Sequence, residues 1–406
     1  MSSSKDEQTL TATSGLDSDS ESEQSSEIES SDSDSDEQVP LATLEKRAKT
    51  TQSIRWKDTD NFPRRFGCHG TTGVQVPGLN ELSEATEIFE NFFPPELVAH
   101  IADETNRYAA LKPKRQSPSP SHMREWFDTT PDEMSVFLAM TIIIGIMPKP
   151  DLKLYWTRDP VFETPFFPNT MPRDRFMELL FHLHLRQADT NDRLYKVRPV
   201  IDTLTENFKS VYLPDSRISM DESLWKFKGR LKFKQFNPKK RARFGIKVYR
   251  VCQSTGAAAG YTWNLKIYTG QDKSDTPAST KIVLDLNADL LGKGYTVFLD
   301  NWFSSPSLFL ELHSHKTNVV GTVRKNRKDM PKDLCDLQLR KGEVAYRSSD
   351  KGLLALVWKD KKDVRMLSTM HTAAMGDSGK CDRYKKSIEK PKCVIDYNTG
   401  MKGLDM

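Results

Sequence analysis

Two aspartates sit where a solvated charge is not expected. Asp221 lies inside the strand-like stretch Ile218-Ser-Met-Asp-Glu-Ser-Leu-Trp225, and Asp300 ends the apolar run Tyr295-Thr-Val-Phe-Leu-Asp300, which leads into Asn301-Trp-Phe-Ser-Ser. A carboxylate at the end of an apolar strand carries a desolvation cost unless an arginine, a helix N-terminus or a divalent cation offsets it. Carboxylates that converge at the ends of neighbouring strands form a hard, oxygen-only site suited to Mg²⁺ or Mn²⁺. Two such ions about 3.5–4 Å apart activate a water and steady the leaving oxygen in phosphodiester cleavage. Two strand-end acids alone are a weak signal. Asp300 reads equally well as a turn-former before Asn301.

The residues that follow Asp221 strengthen the case for a polyanion partner. From Trp225 to Arg250 there are eleven Lys/Arg and no acid, among them Lys226, Lys228, Arg230, Lys239, Lys240, Arg241, Arg243 and Lys247. Aromatics interleave them at Trp225, Phe227, Phe233, Phe236, Phe244 and Tyr249. Such a surface neutralises phosphates, while its rings pack into a sheet or stack on bases; the bland alternative is a solvated basic face. Lys239–Arg243 also has the composition of a nuclear import signal, so nuclear localisation is expected.

Charge is distributed unevenly over the 406 residues. The net +4 hides twelve acids and one base in residues 1–40, which leaves the remainder at +15. An acidic tail on a basic body again suggests nucleic acid. Residues 1–52 hold almost no large apolar side chains and are expected to be disordered, with acid-flanked serines between Ser30 and Glu37 as candidate kinase substrates or a chromatin-protein contact. Five scattered cysteines without a C-x-x-C pair make neither a disulfide framework nor a structural zinc module. The longest apolar run, Val136–Met147, is twelve residues, against about 20 for a membrane span. No signal peptide opens the chain, and a soluble, intracellular protein without a membrane partner is the reading.

Positioning the acids requires helices first and strands second. Ser83–Phe93 and Pro95–Leu111 show helical spacing, with Ser83 a candidate N-cap; Pro131 opens and Pro148 closes a further helix. Arg173–Arg186 is predicted helical, and His182 and His184 upon it fall on different faces, unlike a ligand pair. After a helix from Pro199 to about Tyr212, strands are expected at Ser219–Lys228, Gly245–Gln253, Tyr261–Tyr268, Tyr295–Asp300 and Asn318–Arg324. Helices Ala278–Leu291 and Ser305–Lys316 interrupt them, and a β-rich segment spans Val344–Ser368. This alternation predicts an α/β protein with a mixed sheet covered by helices.

Four segments carry a resemblance: Ser219-Met-Asp-Glu-Ser-Leu-Trp-Lys-Phe-Lys-Gly-Arg230, Lys240-Arg-Ala-Arg-Phe-Gly-Ile-Lys247, Phe298-Leu-Asp-Asn-Trp-Phe303 and Asp396-Tyr-Asn-Thr-Gly-Met-Lys-Gly-Leu-Asp405. Together they resemble the piggyBac transposase family, and within it the domesticated vertebrate members. Leu154-Tyr-Trp156 and Arg173–Leu180 match the family's helical domain. The resemblance implies an RNase H-like core with a DDD metal triad carried by Asp221, Asp300 and Asp405, holding two Mg²⁺ or Mn²⁺ ions, and Trp302 beside it. It implies double-stranded DNA as partner, hairpin-forming cleavage, joining at TTAA and a homodimer. The implied organisation is a disordered tail (1–52), a helical dimerisation and DNA-binding domain (53–213), the catalytic core (214–328), a β-rich insertion (329–392) and a final catalytic segment (393–406).

The pattern departs from the family near its end. Where the family reads Gly-Gly-Val-Asp, this sequence reads Lys402-Gly403-Leu404-Asp405, and Asp405 is the penultimate residue. The family's following helix and Cys/His-rich zinc module are not among the 406 residues, so Asp405 is expected to be loosely held. Asp396 is a less favoured local substitute. Two readings therefore stand, a metal-dependent transposase and a derivative that binds DNA or protein without cutting.

Overall fold

In a computed structural model, the described residues are 54–111, 126–185, 192–238, 243–270, 276–381, 383, 385 and 387–404. The acidic tail 1–52, the loop 117–122, Lys239, Lys240, Arg241 and Asp405 lie outside them.

Two short strands, β1 (Trp56–Lys57) and β2 (Gly73–Val74), precede α1 (Ala85–Phe92) and α2 (Pro95–Leu111). The next helix, α3 (Pro131–Ile146), begins with proline, whose missing N–H has no helical partner to lose. Thr130 caps it, its hydroxyl accepting from Glu133 N at 3.2 Å. Then come α4 (Phe166–Thr170), α5 (Arg173–His182) and α6 (Arg198–Val211). Leu97, Ile101, Phe137, Met140, Phe176 and Leu179 from α2, α3 and α5 interlock in one cluster. Buried Arg175 donates to Glu133 at 2.8 and 2.6 Å, which compensates its charge. Two local expectations change. Ser83 is not the N-cap of α1, a position held by Glu84; its hydroxyl instead accepts from Asn80 N. Helix α5 stops at His182, so His184 lies beyond it and stacks on Tyr108 at 4.3 Å.

The remaining elements are β3 (Tyr212–Leu213), β4 (Arg217–Lys226), β5 (Gln235–Phe236), β6 (Phe244–Gln253), β7 (Thr262–Ile267), α7 (Ala278–Asn287), β8 (Thr296–Leu299), α8 (Pro306–Ser314) and β9 (Asn318–Thr322). They are followed by β10 (Val344–Ser349), β11 (Leu354–Lys359), β12 (Asp363–Ser368), β13 (Met375–Cys381), β14 (Ser387–Pro391) and α9 (Lys392–Met401). The main sheet has the order β1-β10-β11-β12-β9-β8-β4-β6-β5, with β7 also paired to β6. Among the described residues, only β4–β8 and β8–β9 pair in parallel. The protein is thus mixed α/β, and β10–β12 extend the same sheet that holds the two aspartates.

Side chains alternate across the central strands as the pleat requires. Val297 and Leu299 join Met220, Val283 and Phe309 on the side covered by α7 and α8. Phe298 points the other way, packing with Val320 and Leu354 against Cys393 and Val394 of α9. Burial on both faces explains why β8 is uninterrupted Val, Phe and Leu after Thr296. Helix α9 comes close because Gly400 faces the Phe298 ring, where a Cβ would lie 2.5 Å from the ring carbons.

Candidate metal centre and nucleic-acid interface

Register brings the first two acids together. The parallel β4–β8 ladder pairs Arg217 with Thr296 and ends at Met220 with Leu299. Asp221 and Asp300 are the next residues on their strands, one step past the last rung. Neighbouring strands lie about 4.8 Å apart, and both acids share the parity of Ser219 and Phe298, hence the face on which α9 packs. Both are half-buried. Across β4, Asp221 stands opposite Arg250 of β6. Burial pushes the nearby Cys252 thiol upward; Thr262 and Arg250 oppose that rise, and Asp221 adds to it.

Asp300 has a defined shell. Its Oδ1 accepts from Thr322 Oγ1 at 3.2 Å, and that hydroxyl lies 3.5 Å from Tyr397 Oη of α9. Thr322 carries no signal in the sequence; register alone places it, because β9 pairs Gly321 with Leu299 and Thr322 follows beside Asp300. The turn role holds as well. The Asp300 carbonyl accepts from Phe303 N, Ser304 N and Ser304 Oγ at 3.0–3.2 Å. Arg324 Nε donates to Asn301 Oδ1 at 3.3 Å, and Arg327 donates to the carbonyls of Asn301 and Trp302. Trp302 stacks on Tyr249 with ring centres 5.7 Å apart.

The other sequence-predicted residues divide into three groups. Lys247 is half-buried: its Nζ pairs with Glu222 at 2.6 Å and sits 4.8 Å from the Trp302 ring centre. Asp396 is a strut. Its Oδ1 accepts from Arg217 at 2.6 Å, and Oδ2 lies 3.3 Å from His371 Nε2, at ion-pair distance but not in hydrogen-bond geometry. Burial alone would raise its pKa, but His371 and Arg217 outweigh burial and hold the carboxyl below its ordinary value. Lys226, Lys228, Arg230 and Arg243 are exposed. They lie on or beside a ribbon formed where β4 runs on past β8 and pairs with β6 as far as Lys226 opposite Gly245. Trp225, Phe236 and Phe244 are 44%, 58% and 48% exposed there, an unusual display of rings on a basic surface. Among the described residues no three metal-ligating side chains cluster; Asp405 is not one of those residues.

Comparisons with known proteins follow the same geometry. The family model described as Transposase IS4 matches residues 84–406. Human piggyBac transposable element-derived protein 3 is 26% identical over 383 residues, covering 89% of this chain and 61% of its own length. The human proteins 2 and 5 of that series are 26% and 24% identical, covering 82% and 77% of this chain and 56% and 61% of their own lengths. The chain therefore spans about three-fifths of these relatives. A piggyBac transposase solved as a synaptic complex with hairpin DNA shares the fold, with a TM-score of 0.68 and 24% identity over 82% of this chain and 69% of that one. The matched span, the shared fold and the acids at the ends of parallel strands agree: this chain belongs to the transposase family that the model describes, as a piggyBac-type member.

Proposed function

We propose that this protein is a piggyBac transposase-derived DNA-binding protein whose core is RNase H-like and whose acid pair descends from a metal-dependent strand-cleavage and transfer site acting at TTAA. One observation carries the reading: Asp221 and Asp300 each follow the last rung of the parallel β4–β8 ladder, Met220 with Leu299, and the strand bearing Asp221 continues directly into the exposed basic ribbon. The strand order β7-β6-β4-β8-β9, with parallel pairing at β4–β8 and β8–β9, supports the RNase H-like assignment. The domain boundaries at 52/53, 213/214, 328/329 and 392/393, a homodimer, nuclear import through Lys239–Arg243 and a modified acidic tail belong to the same proposal.

The donor set suits a hard divalent ion. Two half-buried carboxylates and the Thr322 hydroxyl offer oxygen only. Asp221 and Asp300, joined by Asp405, would hold Mg²⁺ or Mn²⁺, which when bound supplies Lewis acidity for in-line displacement at phosphorus. Thr322 and Tyr397 hold the Asp300 carboxylate in orientation. Lys226, Lys228, Arg230 and Arg243 bind phosphates, while Trp225, Phe236 and Phe244 offer faces to bases. A binding-only role is the second reading, favoured by Lys402 standing where the family has glycine beside the third acid.

The test uses labelled DNA with candidate terminal repeats, with Mg²⁺ or Mn²⁺ present. Nicks lost in Asp221→Ala and Asp300→Ala support the cleavage reading. Tight, salt-sensitive binding without nicks supports the second. An affinity that ignores salt between 50 and 200 mM would remove both, since about 10³-fold or more is expected for six or more phosphate contacts.

A further inference from the structure

The proposed function uses the C-terminal ends of β4 and β8 and leaves the opposite sheet edge unexplained. There the segment 64–69 crosses the start of β8 and β9. Buried Asn318 clamps it: Asn318 Oδ1 accepts from Phe66 N at 3.0 Å, and Nδ2 donates to Phe66 O at 2.8 Å. His69 N donates to Lys293 O at 3.1 Å. Gly294, at φ 81°, admits this approach because a Cβ would stand 1.9 Å from the Gly67 carbonyl oxygen. The clamp leaves a cavity of about 330 Å³ lined by Arg64, Arg65, Phe66, His69, Gly294 and Lys316 among others.

The lining is cationic and exposed, and its two arginines make defined contacts. Arg65 Nε donates to Met370 O at 2.8 Å, which fixes one edge of its guanidinium. The Arg64 guanidinium lies 5.3 Å from the Phe66 ring centre, and His313 tilts against that ring at 5.0 Å. Lys316 follows α8 in the left-handed region at φ 52°. No described carboxylate lines the cavity, and among the described residues none forms an ion pair with Arg64, Arg65 or Lys316. Two guanidinium forks and an ammonium around a space of this size match the oxygens of a phosphate, and the half-buried Phe66 adds an apolar wall suited to a sugar or base. The strand rise of about 3.3 Å puts Gly294 roughly 20 Å from Asp300, too far for one phosphate to reach both.

We propose that this pocket is a second phosphate site, which takes a DNA backbone phosphate at the sheet edge opposite the acid pair. The inference rests on the DNA-binding reading above, and its test separates the two. The 406-residue protein is titrated with duplex DNA by fluorescence anisotropy across 50–200 mM salt. Wild type, the ribbon variant Lys228→Ala/Arg230→Ala and the pocket variant Arg64→Ala/Lys316→Asn are compared; asparagine tolerates the left-handed backbone. The pocket variant is expected to bind more weakly and to lower the log–log salt slope by about 1–2, additively with the ribbon variant. Arg64→Lys/Lys316→Arg, which keeps the charges, restores the slope. If thermal melting shows that the pocket variant is misfolded, Arg64→Gln/Lys316→Gln replaces it. Unchanged affinity and slope in the pocket variant overturn the DNA assignment. A second arm follows thermal melting with inorganic phosphate. If phosphate stabilises wild type but not the pocket variant while DNA binding is unchanged, the pocket takes a free phosphate compound instead. If wild type itself binds DNA without salt dependence, the function reading fails, and the phosphate arm alone decides whether the pocket is an anion site. No response in either arm overturns the site altogether.

Discussion

Replacing Gly400 with alanine tests what holds α9 against the sheet. The new methyl would lie 2.5 Å from Cγ, Cδ1 and Cδ2 of Phe298. Carbon atoms settle at about 3.5–4.0 Å, so the ring or the helix must yield roughly 1–1.5 Å. The contact is with the base of the ring, and Phe298 is fully buried in the α9-side cluster, so the ring cannot swing into open space. Overpacking of this kind costs about 1–3 kcal/mol. Alanine returns roughly 0.5–1 kcal/mol through its better helix propensity. The clash wins, leaving a net loss of about 1–2 kcal/mol. At roughly 2–4 °C per kcal/mol, the melting temperature falls by about 2–8 °C. The assay is thermal or urea unfolding of four proteins: wild type, Gly400→Ala, Phe298→Leu and the double variant. With the ring gone, Gly400→Ala is expected to be neutral or stabilising. If the glycine substitution costs the same in both backgrounds within about 0.5 kcal/mol, the Phe298 contact is not the reason for glycine, and the account of the docking of α9 is refuted.

Three further outcomes follow from the same geometry. The Asp396 carboxyl is held below its ordinary value in the folded state, so its stabilisation is complete above the unfolded aspartate pKa of about 3.9 and lost as pH falls through the lower folded value; acid titration of wild type should show this loss, and Asp396→Asn should lack it. Lys247→Ala removes the Glu222 pair and the cation beside Trp302, and is expected to cost about 1–2 kcal/mol in urea unfolding while leaving the salt slope of DNA binding unchanged. Gly294→Ala combines a left-handed backbone with a 1.9 Å approach to a backbone oxygen, and should lose roughly 2–5 kcal/mol or fail to fold, read by circular dichroism.

Local pattern and long-range pairing differ in how far they can be read from the chain. The helices at Pro131 and Pro306 begin where proline and a capping residue require, the helix at Pro95 begins at its proline, and β4, β6, β8 and β9 follow their apolar and β-branched runs to within a few residues. Asp221 and Asp300 stood out because a carboxylate beside Met220 or Leu299 has no local compensation. What remained hidden depends on register. Thr322 and Tyr397 become the setting of Asp300 only once β9 and α9 are laid beside β8, and Lys247 was indistinguishable from its exposed neighbours until Glu222 and Trp302 closed around it. Cationic composition identifies a surface but does not say which of its charges already has a partner.

The position of Asp300 is itself a consequence of strand length. β8 is four residues long, each fully enclosed, and its pleat sends Val297 and Leu299 to one core and Phe298 to the other. Adding or removing one residue in such a strand exchanges the two faces. Asp300 would then leave the side on which Thr322 and α9 stand, and Phe298 would turn away from Gly400. Register, glycine and carboxylate are therefore one constraint: whatever selects for the contact between Phe298 and Gly400 also keeps the two acids on a common face, whether or not this chain cuts DNA.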